Sequence, residues 1–222
     1  MKRMLPAVFV LAVAPTLLAS GAGSMPSMPQ QQRSPHDQAV DYYNNGERRL
    51  EKLTKMHDEM KAATDPQRAA KMQQNITKGL ESAANDFERA TNYDPRLYQA
   101  YSELGFTLRK LGKYNDSLAA YDHALQLQPD FAPALEYRAE AYLGLNQLDE
   151  VKSAYMTLFS GDRQRADILM TSMKSWIAER RTTAGGIDAQ KLDDFAKWVE
   201  QRATIAGQTS SLNSQISSFR SW

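Results

Sequence analysis

The sequence predicts an all-α fold: a solenoid of stacked antiparallel helical hairpins, closed by an atypical C-terminal hairpin. Three observations predict it. Residues 98–162 match themselves at an offset of 34. Apolar residues on either side of that stretch recur at the three-and-four spacing of one helix face. Ser-Pro, Asp-Pro and glycine positions punctuate the chain where helices would start and stop. A fixed period of this size marks one supersecondary unit stacked on copies of itself.

Composition sets outer bounds. The 222 residues are enough for a sizeable core in one large or two small domains. A formal net charge of +1 gives no strong pull toward nucleic acid or an anionic membrane. Cysteine is absent, which excludes disulfides, thiolate catalysis and Cys-based metal sites.

Taken in order, residues 1–22 have the layout of a secretory signal peptide. Lys2 and Arg3 form a positive start, 5–19 is apolar apart from Pro6 and Pro15, and Ser20 and Ala22 supply small residues for cleavage after Ala22. The apolar run is shorter than the ~20 residues of a spanning helix, so an exported, periplasmic protein without a membrane anchor is expected. No cysteine stands near the junction for lipid attachment. Residues 23–36, rich in Pro, Ser and Gln at first, read as a flexible linker. Ser34-Pro35 with Asp37 is a helix-start signal at its end.

The repeat region is expected over 37–162. Its first hairpin, 37–94, is lengthened. Val40, Tyr43, Leu50, Leu53, Met56 and Met60 mark one long helix, and Met72, Ile76, Leu80, Ala83, Phe87 and Ala90 mark a second after Asp65-Pro66. From Gly105 to Ser117 is 12 residues, but from Gly46 to Ala83 is 37, so about 25 residues are inserted here. Repeats 98–131 and 132–162 follow. Asp94-Pro95 should open the first of these and Gly112 should stop its first helix in a left-handed conformation. Beyond 162 the period fades. Residues 163–207 read as a helical hairpin or cap, broken at Gly185-Gly186 and ended by Gly207. The 208–222 tail is polar apart from Leu212, Ile216, Phe219 and Trp222, and reads as disordered or as a short docking segment.

The repeat pairs are Tyr101 with Leu135, Gly105 with Ala139, Leu108 with Tyr142, Tyr114 with Leu148, Ser117 with Val151 and Tyr121 with Tyr155. Leu104 over Arg138 breaks the match. With Ala124 and Pro129, this pattern resembles the tetratricopeptide repeat family. Arg138 and Arg163 depart from it, where Leu and Pro would be usual. The resemblance implies right-handed stacks of hairpins with a concave groove that takes an extended or helical peptide. It implies groove-facing positions at Gln99, Ser102, Phe106, Arg109 and Lys110, then Glu136, Glu140 and Leu143. It also implies that the carboxylate clamp of chaperone-binding members is missing, since its positions hold Ser102, Phe106, Pro133 and Glu136.

Other chemistry leaves little trace. His57-Asp58-Glu59 lacks the second His one turn away that a helical zinc site needs. No serine stands in a nucleophile elbow and no glycine-rich loop follows a strand. Most carboxylates alternate with Lys and Arg, as on a solvated helix face. The expectation is a non-enzymatic protein-interaction scaffold without a cofactor, binding a protein or peptide rather than nucleic acid. The alternative is an assembly protein that self-associates through the long first hairpin or the tail.

Overall fold

A computed structural model describes residues 33–183 and 186–219, and their side chains apart from those of 210–219. The expected signal, most of the linker, Gly185 and Trp222 lie outside the described residues. Within them the structure is all-helical, with eight helices in chain order: α1 Pro35–Ala62, α2 Pro66–Tyr93, α3 Tyr98–Lys110, α4 Tyr114–Leu127, α5 Ala132–Gly144, α6 Leu148–Gly161, α7 Arg163–Thr183 and α8 Ala189–Phe219. No described helix is long and apolar enough to cross a membrane.

Local chemistry sets the ends. Ser34 caps α1 through a reciprocal capping box with Asp37, whose amide lies 3.1 Å from Ser34 Oγ. Asp65 accepts from the Gln67 amide at 2.9 Å and Pro66 opens α2. Asp94-Pro95 behaves otherwise than expected. Asp94 closes α2, and its Oδ1 accepts from the Arg96 amide at 2.9 Å, so the pair forms a turn and α3 begins only at Tyr98. Gly112 does end α3 in the left-handed region, at φ 76°. Asn146, 34 residues on, takes the same role at φ 58°. In both turns the amide three residues past the last helical residue reaches back to close a Schellman ring: Lys113 to Leu108 at 3.0 Å and Gln147 to Tyr142 at 2.9 Å.

Within the α1–α2 and α3–α4 hairpins, a glycine set against a ring allows close approach. A Cβ on Gly105 would stand 2.6 Å from the Tyr121 ring, and one on Gly46 would stand 2.5 Å from Phe87. The rings of Phe87, Tyr121 and Tyr155 occupy one repeat position at successive offsets of 34 and are fully buried. Leu50, Ile76, Leu80, Ala83, Leu104 and Leu108 join the first hairpin to α3. Leu143, Val151, Tyr155, Leu158, Leu169, Met173, Trp176, Phe195 and Val199 form one core from α5 to α8. The hairpin beyond 162 therefore stacks on the repeats without carrying their motif.

Both departures from the motif have a structural outcome. Arg138 Nη1 reaches back to Asp122 Oδ1 on α4 at 2.6 Å. Arg163 lies 3.8 Å over the Phe159 ring and donates to the Ala206 carbonyl at 3.3 Å. Gly207 does not end α8, which continues in helical conformation to Phe219. A glycine inside a helix costs about 1 kcal/mol but compels no stop unless the chain turns left-handed there.

Candidate functional site

The first helices of successive hairpins form the inner row. α3 packs on α5 and α5 on α7, whereas α4 and α6 have no packing of comparable extent on each other. Rows of unequal spacing curve toward the closer one, so the face of α3, α5 and α7 is the concave side.

The eight residues expected on that face divide into two groups. Gln99, Phe106, Arg109, Lys110 and Glu140 keep some exposure. Ser102, Glu136 and Leu143 are buried, at 1%, 2% and 3% exposure. Leu143 is a correction to the expected lining: it packs in the α5–α8 core, because α7 docks directly on α5 and covers it. Ser102 Oγ has no hydrogen-bond partner in the structure.

The charged residues among these positions are linked across helices. Arg109 Nη2 lies 2.6 Å from Glu140 Oε2, linking α3 to α5. Glu140 also accepts from Ser172 Oγ at 2.5 Å, linking α5 to α7. Arg165 Nη1 donates to Glu136 Oε2 at 2.6 Å and makes a second α5–α7 link. The Tyr137 ring stands between these pairs. Its centroid is 5.8 Å from the Arg109 guanidinium, 5.7 Å from that of Arg165 and 5.3 Å from the Phe106 ring. Lys110 Nζ lies 5.5 Å from the Phe106 centroid, on the exposed side.

Burial pushes the Glu136 carboxyl up from its ordinary value, and Arg165 opposes the shift. Burial also raises the Tyr121 phenol, with Arg109 opposing. These shifts follow from packing and ion pairing inside the wall. The carboxylates hold guanidinium groups, and Glu140 also accepts from the Ser172 hydroxyl. What the face offers outward is an aromatic edge at Phe106, an ammonium at Lys110 and the amide of Gln99.

Tyr137, Arg165 and Ser172 were not among the expected site residues. Tyr137 follows Glu136 directly and could have been placed by register. Arg165 and Ser172 lie in the hairpin without the motif, where no register was available. Among the described residues no group of three or more His, Asp or Glu side chains could hold a metal. An open depression is lined by Asp41, Asn44, Asn45, Glu47 and Arg48 of α1.

Residues 98–131 match the tetratricopeptide repeat family. Over 114 residues the chain is 27% identical to the Hsp70-Hsp90 organizing protein of Triticum aestivum, a match covering 50% of this chain and 20% of that protein. The chain thus spans about a fifth of the length of this curated relative. The matched repeat, the buried rings of Phe87, Tyr121 and Tyr155 at 34-residue spacing and the stacked helical pairs agree: residues 98–131 are similar to a tetratricopeptide repeat, set in an all-helical, repeat-like stack.

Proposed function

We propose that the protein is a non-catalytic adaptor that binds a peptide or protein segment along the concave face of α3, α5 and α7, in the cell envelope after export. One observation carries the reading. The Arg109–Glu140–Ser172 and Glu136–Arg165 links fix three helices side by side, and Phe106, Lys110 and Gln99 project from that fixed wall. A wall already ordered loses little side-chain freedom on binding, which favours recognition of an extended partner. The repeat family and a relative named as an organizing protein support an interaction role. Export is supported by the signal-like sequence of residues 1–22.

A photo-crosslinking amino acid at Gln99 or Lys110, compared with one at Ser153 on the outer row, tests the groove in an envelope extract. The same partner captured from both inner positions and not from Ser153 supports the reading. Capture from Ser153 alone overturns it. Intact mass of the secreted and cell-retained protein tests export; a chain still starting at Met1 in the cytoplasm counts against the location.

A further inference from the structure

The inserted residues of the first hairpin form an arm. Some 25 extra residues shared by two helices extend it about 18 Å past the edge where the hairpins turn. Each helix of the arm has only the other to pack on. Leu53, Met56, Met60 and Met72 are consequently half-buried, with one side left toward solvent.

The arm's charge is unusual for its place. From Pro66 to Leu80, α2 holds Arg68, Lys71 and Lys78 and no acidic residue. The three cations fall within about 80° of arc on the helix and are all exposed. None has an ion-pair partner among the described residues. Arg68 stands in the first turn, where the helix macrodipole favours an anion instead. The stripe is therefore mildly unfavourable within the isolated fold.

The complementary charge lies on the same edge of the stack. Residues 111–160 hold seven acidic and three basic residues. Three of the acids, Asp116, Asp149 and Glu150, sit in the first turns of α4 and α6, next to the hairpin turns. All three are exposed, Asp149 with 92% of its side chain in solvent and Lys152 Nζ 3.0 Å from its Oδ1.

We propose that two copies of this chain associate edge to edge through a two-fold axis, the Arg68–Lys71–Lys78 stripe of each arm lying on the Asp116, Asp149 and Glu150 edge of the other. Two-fold pairing makes the contact reciprocal. One arm face covers roughly 400 Å², so two reciprocal arms approach the roughly 800 Å² per partner of a standard interface. A single arm on an unrelated acidic surface would fall short of that area. The half-buried methionines supply adaptable apolar contact beside the charges.

Sedimentation velocity on the full chain at about 50 mM salt tests this. A dimer is expected that dissociates as salt rises, with Kd weakened about tenfold or more by 300 mM. Reversing the arm (Arg68→Glu, Lys71→Glu, Lys78→Glu) or the edge (Asp116→Lys, Asp149→Lys, Glu150→Lys) should each weaken self-association at least a hundredfold. Mixing the two reversed chains should form a heterodimer, since the acidic arm of one meets the basic edge of the other and the native basic arm meets the native acidic edge, while neither chain pairs with itself. Combining both reversals in one chain should restore the dimer, and this rescue separates pairing from misfolding. Wild type that stays monomeric to about 100 µM overturns the proposal. So does a dimer unmoved by either reversal. So does a monomer that binds phosphatidylglycerol vesicles through the three cations, which would make an anionic lipid surface the occupant.

Discussion

Arg109 Nη2 and Glu140 Oε2 meet at 2.6 Å with only 11% and 18% of their side chains exposed. The pair therefore acts in a partly desolvated setting, where removing one partner leaves the other charged and poorly solvated. Arg109→Met should cost about 2–3 kcal/mol in urea unfolding. Glu140→Leu should cost a similar amount and also orphan Ser172 Oγ. The double variant should cost clearly less than the sum, because neither charge remains buried alone. Additive losses would show that the two side chains stabilise the wall independently.

The Gly105–Tyr121 contact gives a sharper packing test. A Cβ at 105 would overlap a fully buried ring that cannot move into solvent. Gly105→Ala should destabilise by about 1–3 kcal/mol despite alanine's better helix propensity. Gly207→Ala, where a Cβ meets nothing within 4 Å, should be neutral or slightly stabilising. Equal effects at both positions in thermal unfolding would show that helix propensity, not the ring contact, decides.

Much of the fold was legible because its determinants repeat. Gly105 over Ala139 and Tyr121 over Tyr155 fixed the hairpin pairing, and Ser34, Asp65 and Gly112 announced their helix ends. The failures share a physical cause. Asp94-Pro95 and Gly207 carry local signals compatible with more than one outcome, and neighbouring structure selects among them. Leu143, Arg165 and Ser172 depend on how α7 docks, which no repeat register describes. Of the expected groove charges, Arg109 and Glu140 proved to be halves of one ion pair and Glu136 to pair with Arg165, because periodicity assigns a face but not a partner.

Acid titration should resolve two carboxyls with opposite signs. Glu136 is raised above its ordinary value of 4.5 by burial, with Arg165 opposing, so the folded chain holds this proton where the unfolded chain has lost it. Stability from this group therefore increases as pH falls from the raised value toward about 4.5. Asp94 is lowered from 3.8, first by its hydrogen bond with His36 and then by the Arg96 amide. Its contribution is present above 3.8 and is lost as pH falls through the folded value. Urea midpoints measured against pH should lose the upper feature in Glu136→Gln and the lower one in Asp94→Asn. Retention of the upper slope in Glu136→Gln would assign it to another group.

The extended α8 can be tested by truncation. Arg163, the first residue of α7, reaches the Ala206 carbonyl, so the antiparallel pairing of α7 and α8 ends near that point. Residues 208–219 continue the helix past it. The core contributions of α8 come from Leu192, Phe195 and Val199, well before the cut. Ending the chain after Gly207 should therefore leave the unfolding temperature within about 2 °C, consistent with a change below 1 kcal/mol. Far-UV circular dichroism should fall by the share of helix that those residues represent. A large drop in unfolding temperature would mean that the last turns of α8 are packed against the body, and an unchanged helical signal would mean that they are not helical in solution.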